Sequence, residues 1–114
     1  MFDKRENRLL GALDPSDYAL LSPHLSTARF GRGAMLQEQE APVAQVYFPM
    51  SGLVSLVSVM ADGHEIETAV VGRDGAVGAC IGLDRWNAFA RATVQIPGTC
   101  AVIPITFSRS GQSE

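Results

Sequence analysis

Between Val46 and Gly78 the chain reads VYFPMSGLVSLVSVMADGHEIETAVVGRDGAVG. No long helix fits this stretch, because Pro49, Gly52, Asp62-Gly63 and the glycines at 72, 75 and 78 interrupt it at short intervals. Between the interruptions lie apolar, β-branched runs of strand length. Val46-Tyr47-Phe48 reads as a strand that Pro49 stops and Ser51-Gly52 turns. Leu53 to Met60 is almost wholly apolar or small, as expected of a strand covered on both faces. Asp62-Gly63 predicts a hairpin. Beyond it Ile66, Thr68 and Val70 alternate with Glu65 and Glu67, which places the glutamates in water. Gly72 to Gly78 cannot hold a regular strand, and Ala79 to Leu83 suits one or two helical turns.

The flanking segments fit around such a core. Leu9, Leu10 and Leu13 have helical spacing within Lys4 to Leu13. A second helix opens at Asp14-Pro15, with Asp14 as cap acceptor and proline at the first helical position. Asp17 sits in its first turn, where the helix dipole favours an acid, and Tyr18 and Leu21 continue an apolar stripe up to Pro23. From Ala28, Phe30, Met35 and Leu36 around Gly31 and Gly33 predict short strands with a glycine-dependent bend, and Gln37 to Ala44 is a polar loop. Ala90, Ala92, Val94 and Ile96 share one face of a strand starting at Phe89, with Arg91, Thr93 and Gln95 on the other. Pro97-Gly98 turns into a last strand, Thr99 to Ile105. The 114 residues hold one domain: N-terminal helices over about 4–27, a roll over about 28–105, and the start of a C-terminal helix over about 106–114. The fold class is mainly β, an antiparallel β-roll or jelly roll with short flanking helices.

Composition excludes several functions. An apolar share of 46% with 18% charged residues is that of a globular chain. A net charge of −3 gives no electrostatic case for nucleic-acid binding by this chain alone. No segment reaches the ~18 apolar residues of a membrane helix, and Met1 to Arg5 does not open a signal peptide. A soluble, cytoplasmic protein with no membrane partner is expected. Cys80 and Cys100 lack CxxC spacing and read as reduced, buried thiols. His24 and His64 form no H-x-H or H-x-x-H, and no serine lies in G-x-S-x-G, so neither a metal site nor catalysis is expected. The loop Gly72 to Gly78 is the one element suited to a ligand. Converging backbone N–H groups and a following helix N-terminus favour a small anion, with Arg73, Arg85 and Arg91 as nearby cations. The same glycines equally serve a turn with positive φ angles, and the same arginines a solvated surface.

Taken together, Val46-Tyr47-Phe48-Pro49, Ser51-Gly52-Leu53-Val54-Ser55-Leu56-Val57, Asp62-Gly63 and Val71-Gly72-Arg73-Asp74-Gly75-Ala76-Val77-Gly78 resemble the effector domain of bacterial Crp/Fnr-type transcription regulators, the cyclic-nucleotide-binding β-roll. The resemblance runs from Asn7-Arg8-Leu9-Leu10 to Ile103-Pro104 and Phe107. It implies an eight-stranded roll serving as a non-enzymatic sensory domain, without a cofactor, for a small-molecule effector. It also implies a homodimer for the full-length regulator and DNA contact only through a C-terminal helix-turn-helix, which lies outside this sequence. The ligand residues it implies are Gly75, Val77, Gly78, Ala79 and Cys80, with Arg91, Ala92 and Thr93 from the following strand.

The departures from that family are specific. Members that bind cyclic AMP or cyclic GMP carry a glutamate, for the ribose hydroxyl, where this chain has Ala79. Their phosphate-binding arginine stands one residue earlier than Arg91 in Ala90-Arg91-Ala92-Thr93, and a shift of one sends a strand side chain to the opposite face. Glu40 stands where the family has a glycine before the third strand. The expected pocket is therefore an altered one that holds cyclic AMP weakly and takes another small ligand, anionic if the loop serves it, or none. A stand-alone interaction module without a ligand is the alternative; a cupin-like enzyme lacks its histidine cluster. Apolar surface near Trp86, Phe89 and Phe107 is expected to drive weak self-association of this chain.

Overall fold

The computed structural model describes residues 3–78 and 90–104. Seven strands lie among them: β1 (Ser26–Phe30), β2 (Met35–Gln37), β3 (Gln45–Pro49), β4 (Leu53–Val59), β5 (Glu65–Val71), β6 (Arg91–Ile96) and β7 (Gly98–Pro104). They form two antiparallel sheets, one ordered β1-β7-β3 and the other β2-β6-β4-β5. This is the expected β-roll with short N-terminal helices.

The chain crosses between the sheets four times, and at three of these crossings, β1–β2, β3–β4 and β6–β7, a glycine makes the corner feasible. At the first, Gly33 takes a φ of 86° between β1 and β2, and the Ala34 N–H donates to the Gly31 carbonyl at 3.1 Å. The β3–β4 and β6–β7 corners press against each other. A Cβ on Gly52 would stand 2.5 Å from the Ile96 carbonyl oxygen, and one on Gly98 would overlap the Ser51 carbonyl. Hydrogen bonds lock the contact: Met50 N–H to the Thr99 carbonyl at 2.8 Å, and Thr99 N–H to Ser51 Oγ at 3.0 Å.

Two apolar clusters result. On one side of the three-stranded sheet, Val46, Ala101 and Ile103 pack with Leu10, Leu25 and Val43, and Phe48 adds to them. On its other side Tyr47 meets Val54, Leu56, Val77, Ala90 and Ala92 from the four-stranded sheet and the glycine loop. The Tyr47 hydroxyl donates to the Leu36 carbonyl at 3.1 Å, and its ring meets Phe30 edge-on with centroids 5.7 Å apart. The face of the four-stranded sheet that carries Val54, Leu56 and Ala92 is therefore the inner one.

The N-terminal helix is shorter than its leucine spacing predicts. A 3-10 turn, Lys4–Glu6, ends at Asn7, whose backbone is extended (φ −70°, ψ 128°), and α1 (Arg8–Gly11) starts afresh. Only Leu10 of that helix is buried; Leu9 is largely exposed. Asn7 accounts for the break. Its Oδ1 accepts from the Leu9 and Leu10 N–H groups at 3.0 and 3.2 Å, which caps α1. Its Nδ2 donates to the Pro49 carbonyl at 2.7 Å and the Gly75 carbonyl at 2.9 Å. The second helix, α2 (Pro15–Leu21), does begin with proline, but the Asp14 side chain makes no cap bond and contributes only its backbone carbonyl, to Tyr18 N–H.

Register shifts at three places interrupt simple alternation, one between Met35 and Gln37 on β2 and two along β4. Between β4 and β5 the register slips after Leu56, so that Ala69 and Val71 oppose Leu56 and Val54 on the inner face. Val70 opposes Ser55 instead and is 45% exposed; Ile66, near the hairpin end, is 51% exposed. A second slip, between Leu53 and Val54, leaves Ile96 exposed while Ala90, Ala92 and Val94 are buried. The covering of β4 thins along the strand: Val54, Ser55 and Leu56 are buried, whereas Val57, Ser58 and Val59, toward the hairpin, are half-exposed. The first strand begins at Ser26, within the span expected to be helical, and Ile105, the expected C-terminal helix, Trp86, Phe89 and Phe107 lie outside the described residues.

Two stability outcomes follow from this architecture. Asn7→Ala removes four hydrogen bonds and orphans buried carbonyls, so it should cost about 2–4 kcal/mol, read from urea unfolding; a loss under about 1 kcal/mol would contradict the role given to Asn7. Glu40 holds a φ of 68°, in the left-handed region that favours glycine. Glu40→Gly should therefore stabilise the fold by about 0.5–1 kcal/mol, and a lowered urea midpoint would argue against strain there.

Candidate functional site

The loop Gly72 to Gly78 is held on several sides by backbone contacts. Val77 and Tyr47 exchange N–H···O=C bonds of 2.9 and 2.8 Å, forming an isolated bridge to β3. Arg8 N–H donates to the Arg73 carbonyl at 2.6 Å, and the Arg8 side chain meets Asp74 at 3.1 Å in an exposed ion pair. Gly75 N–H donates to the Gly72 carbonyl at 3.1 Å. Gly78 has a φ of 92°, and a Cβ there would stand 2.9 Å from the Gln45 carbonyl oxygen. The glycines thus serve a tight turn and a close approach. The N–H groups of Gly75 and Val77 are committed within the fold, so an anion would have to compete for them.

The sequence-chosen residues separate onto two sides. Val77 and Ala92 join Ala90, Val54 and Leu56 in the inner cluster. Gly75 and Gly78 flank Val77 in the loop, and Ala79 and Cys80 lie outside the described residues, as does Arg85. Arg91 and Thr93 oppose Val57 and Ser55 on the outer face of β4. There the Arg91 guanidinium donates to Glu38 through Nε at 2.8 Å and Nη2 at 3.2 Å, and to Glu65 through Nη1 at 3.2 Å. The charge-assisted bond from Arg91, with a second from Gln39 N–H, holds the Glu38 carboxyl below its ordinary range, and Glu38 in turn pushes Arg91 up. The side-chain assignments expected from the one-residue shift of this arginine agree with the observed pairing.

Thr93 lines a shallow groove of about 340 Å³ on that outer face, together with Arg32, Ser55, Val57, Glu65 and Glu67. Ser55 Oγ donates to Glu67 Oε1 at 2.6 Å inside it. Cys100 is buried between Thr99 and Ala101, and desolvation pushes its thiol up to about 11, which makes it inert at neutral pH. His64 is exposed and bonds Asp62. Among the described residues no three His, Cys, Asp or Glu side chains are grouped to hold a metal, and no helix is long and apolar enough to cross a membrane.

Three residues that shape this region escape sequence reasoning: Asn7, Glu38 and Gln37. Asn7 had a usable signal, since asparagine directly before Arg8-Leu9-Leu10 is an N-cap pattern. Glu38 and Gln37 had none, because their partners lie 53 residues away.

Comparison with known proteins agrees with this architecture. The chain resembles the N-terminal domain of a transcriptional regulator from Streptomyces coelicolor at 27% identity and a TM-score of 0.74, over 90% of this chain and 72% of that one. It overlays the Pseudomonas aeruginosa protein DNR with a TM-score of 0.78 at 20% identity, over 100% of this chain and 54% of that one. The regulatory subunit of a cAMP-independent protein kinase A from Trypanosoma brucei gives a TM-score of 0.77 at 21% identity, over 89% of this chain and 37% of that one. The chain therefore spans about half of DNR and little more than a third of the trypanosomal subunit. No curated protein sequence matches it. Residues 27–107, most of the roll, match the family model described as the cyclic nucleotide-binding domain, and the chain belongs to that family.

Proposed function

We propose that this domain is the sensory part of a Crp/Fnr-type transcription regulator, non-enzymatic and cytoplasmic, with an altered ligand pocket that holds cyclic AMP weakly. The observation that carries the weak binding is the position of Arg91. It is paired to Glu38 and Glu65 on the outer face, while Ala90, Ala92 and Val77 occupy the inner face beside the loop. A cyclic phosphate entering there meets alkyl groups. Recruiting Arg91 would require breaking its ion pairs and turning its strand residue through the sheet. The regulator assignment is supported by the likeness to the Streptomyces coelicolor domain, 27% identical over 90% of this chain. In this reading Gly75, Val77, Gly78, Ala79, Cys80 and Ala92 border the pocket, Arg91 and Thr93 support it from behind, and the whole of residues 1–114 is one effector domain. The full-length regulator is a homodimer that contacts DNA through a helix-turn-helix beyond this domain.

Titration calorimetry with cyclic AMP should give a dissociation constant above about 100 μM, under about 6 kcal/mol of binding free energy. Low-micromolar affinity would overturn the altered-pocket reading. The chain carries a net charge of −3, whereas phosphate contacts dominate nucleic-acid affinity. In a gel-shift assay at physiological salt, this chain alone should therefore show no sequence-dependent DNA retention; submicromolar, sequence-selective retention would contradict that.

A further inference from the structure

One polar atom of the roll is buried and unanswered: Gln37 Oε1 has no hydrogen-bond partner among the described residues. Gln37 closes β2 and opposes Ala92 across the β2–β6 ladder, with a register shift between Met35 and Gln37. Opposed residues in an antiparallel pair point to the same face, and Ala92 belongs to the inner cluster, as does the Leu36 contact. The carboxamide therefore lies on the inner side, beside Ala90. Its orientation is fixed by chemistry. The Ala90 carbonyl can only accept, so the atom 3.0 Å from it is Nε2, and the orphan is the oxygen. Buried polar groups are almost always satisfied, so an unsatisfied acceptor at one place asks for a donor.

We propose that Gln37 is a ligand-contacting, specificity-determining residue, whose Oε1 accepts a hydrogen bond from an N–H or O–H group of a small molecule bound at the inner face. The inference rests on the sensory-pocket reading above and adds a chemical requirement to it. The ligand must present a neutral or cationic donor at this point, such as an amine, an amide or a sugar hydroxyl. A bare carboxylate or phosphate oxygen there would face the amide oxygen and be repelled. Ordered water is the competing occupant.

The test uses the full 114-residue chain, carbon-13 labelled, with cyclic AMP, cyclic GMP and adenosine as probes, each to about 10 mM. The expected result is that at least one probe shifts the Gln37 Cδ resonance together with the methyl groups of Val54, Val71 and Val77. Gln37→Met, which keeps the length of the side chain, should then weaken that probe about tenfold. Should the methyl groups move while Gln37 Cδ stays fixed, or Gln37→Met bind within about twofold of wild type, the role of Gln37 is refuted and the sensory-pocket reading stands. If no probe moves either set, the role of Gln37 is refuted, whereas the sensory-domain reading, which requires only that cyclic AMP bind weakly, stands. The Cδ measurement is made on the wild-type protein, so the outcome does not depend on whether the variant folds.

Discussion

The carboxamide of Asn7 ties together three parts of the molecule that are distant in sequence: α1, the end of β3 and the glycine loop. It caps α1 through its oxygen, and through its nitrogen it binds the end of β3 at Pro49 and the glycine loop at Gly75. Fully buried, it satisfies all four of its hydrogen-bonding positions with backbone groups that would otherwise be stranded away from water. The helix, the sheet corner and the loop thus share one side chain, which adds to the Arg8–Arg73 and Val77–Tyr47 backbone bonds between the same parts. Aspartate could not substitute, since it would lose two donors and bury a charge.

From that placement the character of the pocket region follows. The loop is pinned at Arg73, Gly75 and Val77, and Val77 is thereby driven into the cluster with Ala90 and Ala92. A loop held this way presents an alkyl surface to the inner face, with part of its amide set committed internally. The arginine of β6 lies behind the sheet, where Arg91 ties β6 to β5 and to the loop after β2. In that same loop Gln39 completes the clamp by exchanging hydrogen bonds of 2.6 and 3.1 Å with Val59 at the end of β4. Arg91 thus joins segments that local contacts leave apart, a role distinct from holding an anion.

Much of the fold was legible in advance because its signals are local. The Asp62-Gly63 hairpin, the breaks at Gly31–Gly33 and Gly52, and the β-branched runs need only neighbouring residues to be read. The phases of β5 and of the end of β6 were not legible. A bulge shifts every later side chain to the other face, and whether it forms depends on the partner strand. The break at Asn7 also overrode a helical leucine pattern, because four hydrogen bonds with distant and local backbone outweigh a few tenths of a kcal/mol of propensity per residue. Part of the candidate site could be read the same way. The opposite facings of Ala92 and Arg91 follow from a strand period of two, which holds wherever no bulge intervenes.

The sequence by itself determined the class of fold, the family likeness and the side of the sheet on which Arg91 must stand. These depend on glycine and proline positions and on alternation, which are properties of a few adjacent residues. Only the tertiary structure decided what Arg91 binds, which of the loop amides are already donated, and that Gln37 carries an unanswered oxygen. Each of those facts joins residues separated by tens of positions, and only the packing of one sheet on the other brings such groups within hydrogen-bond distance.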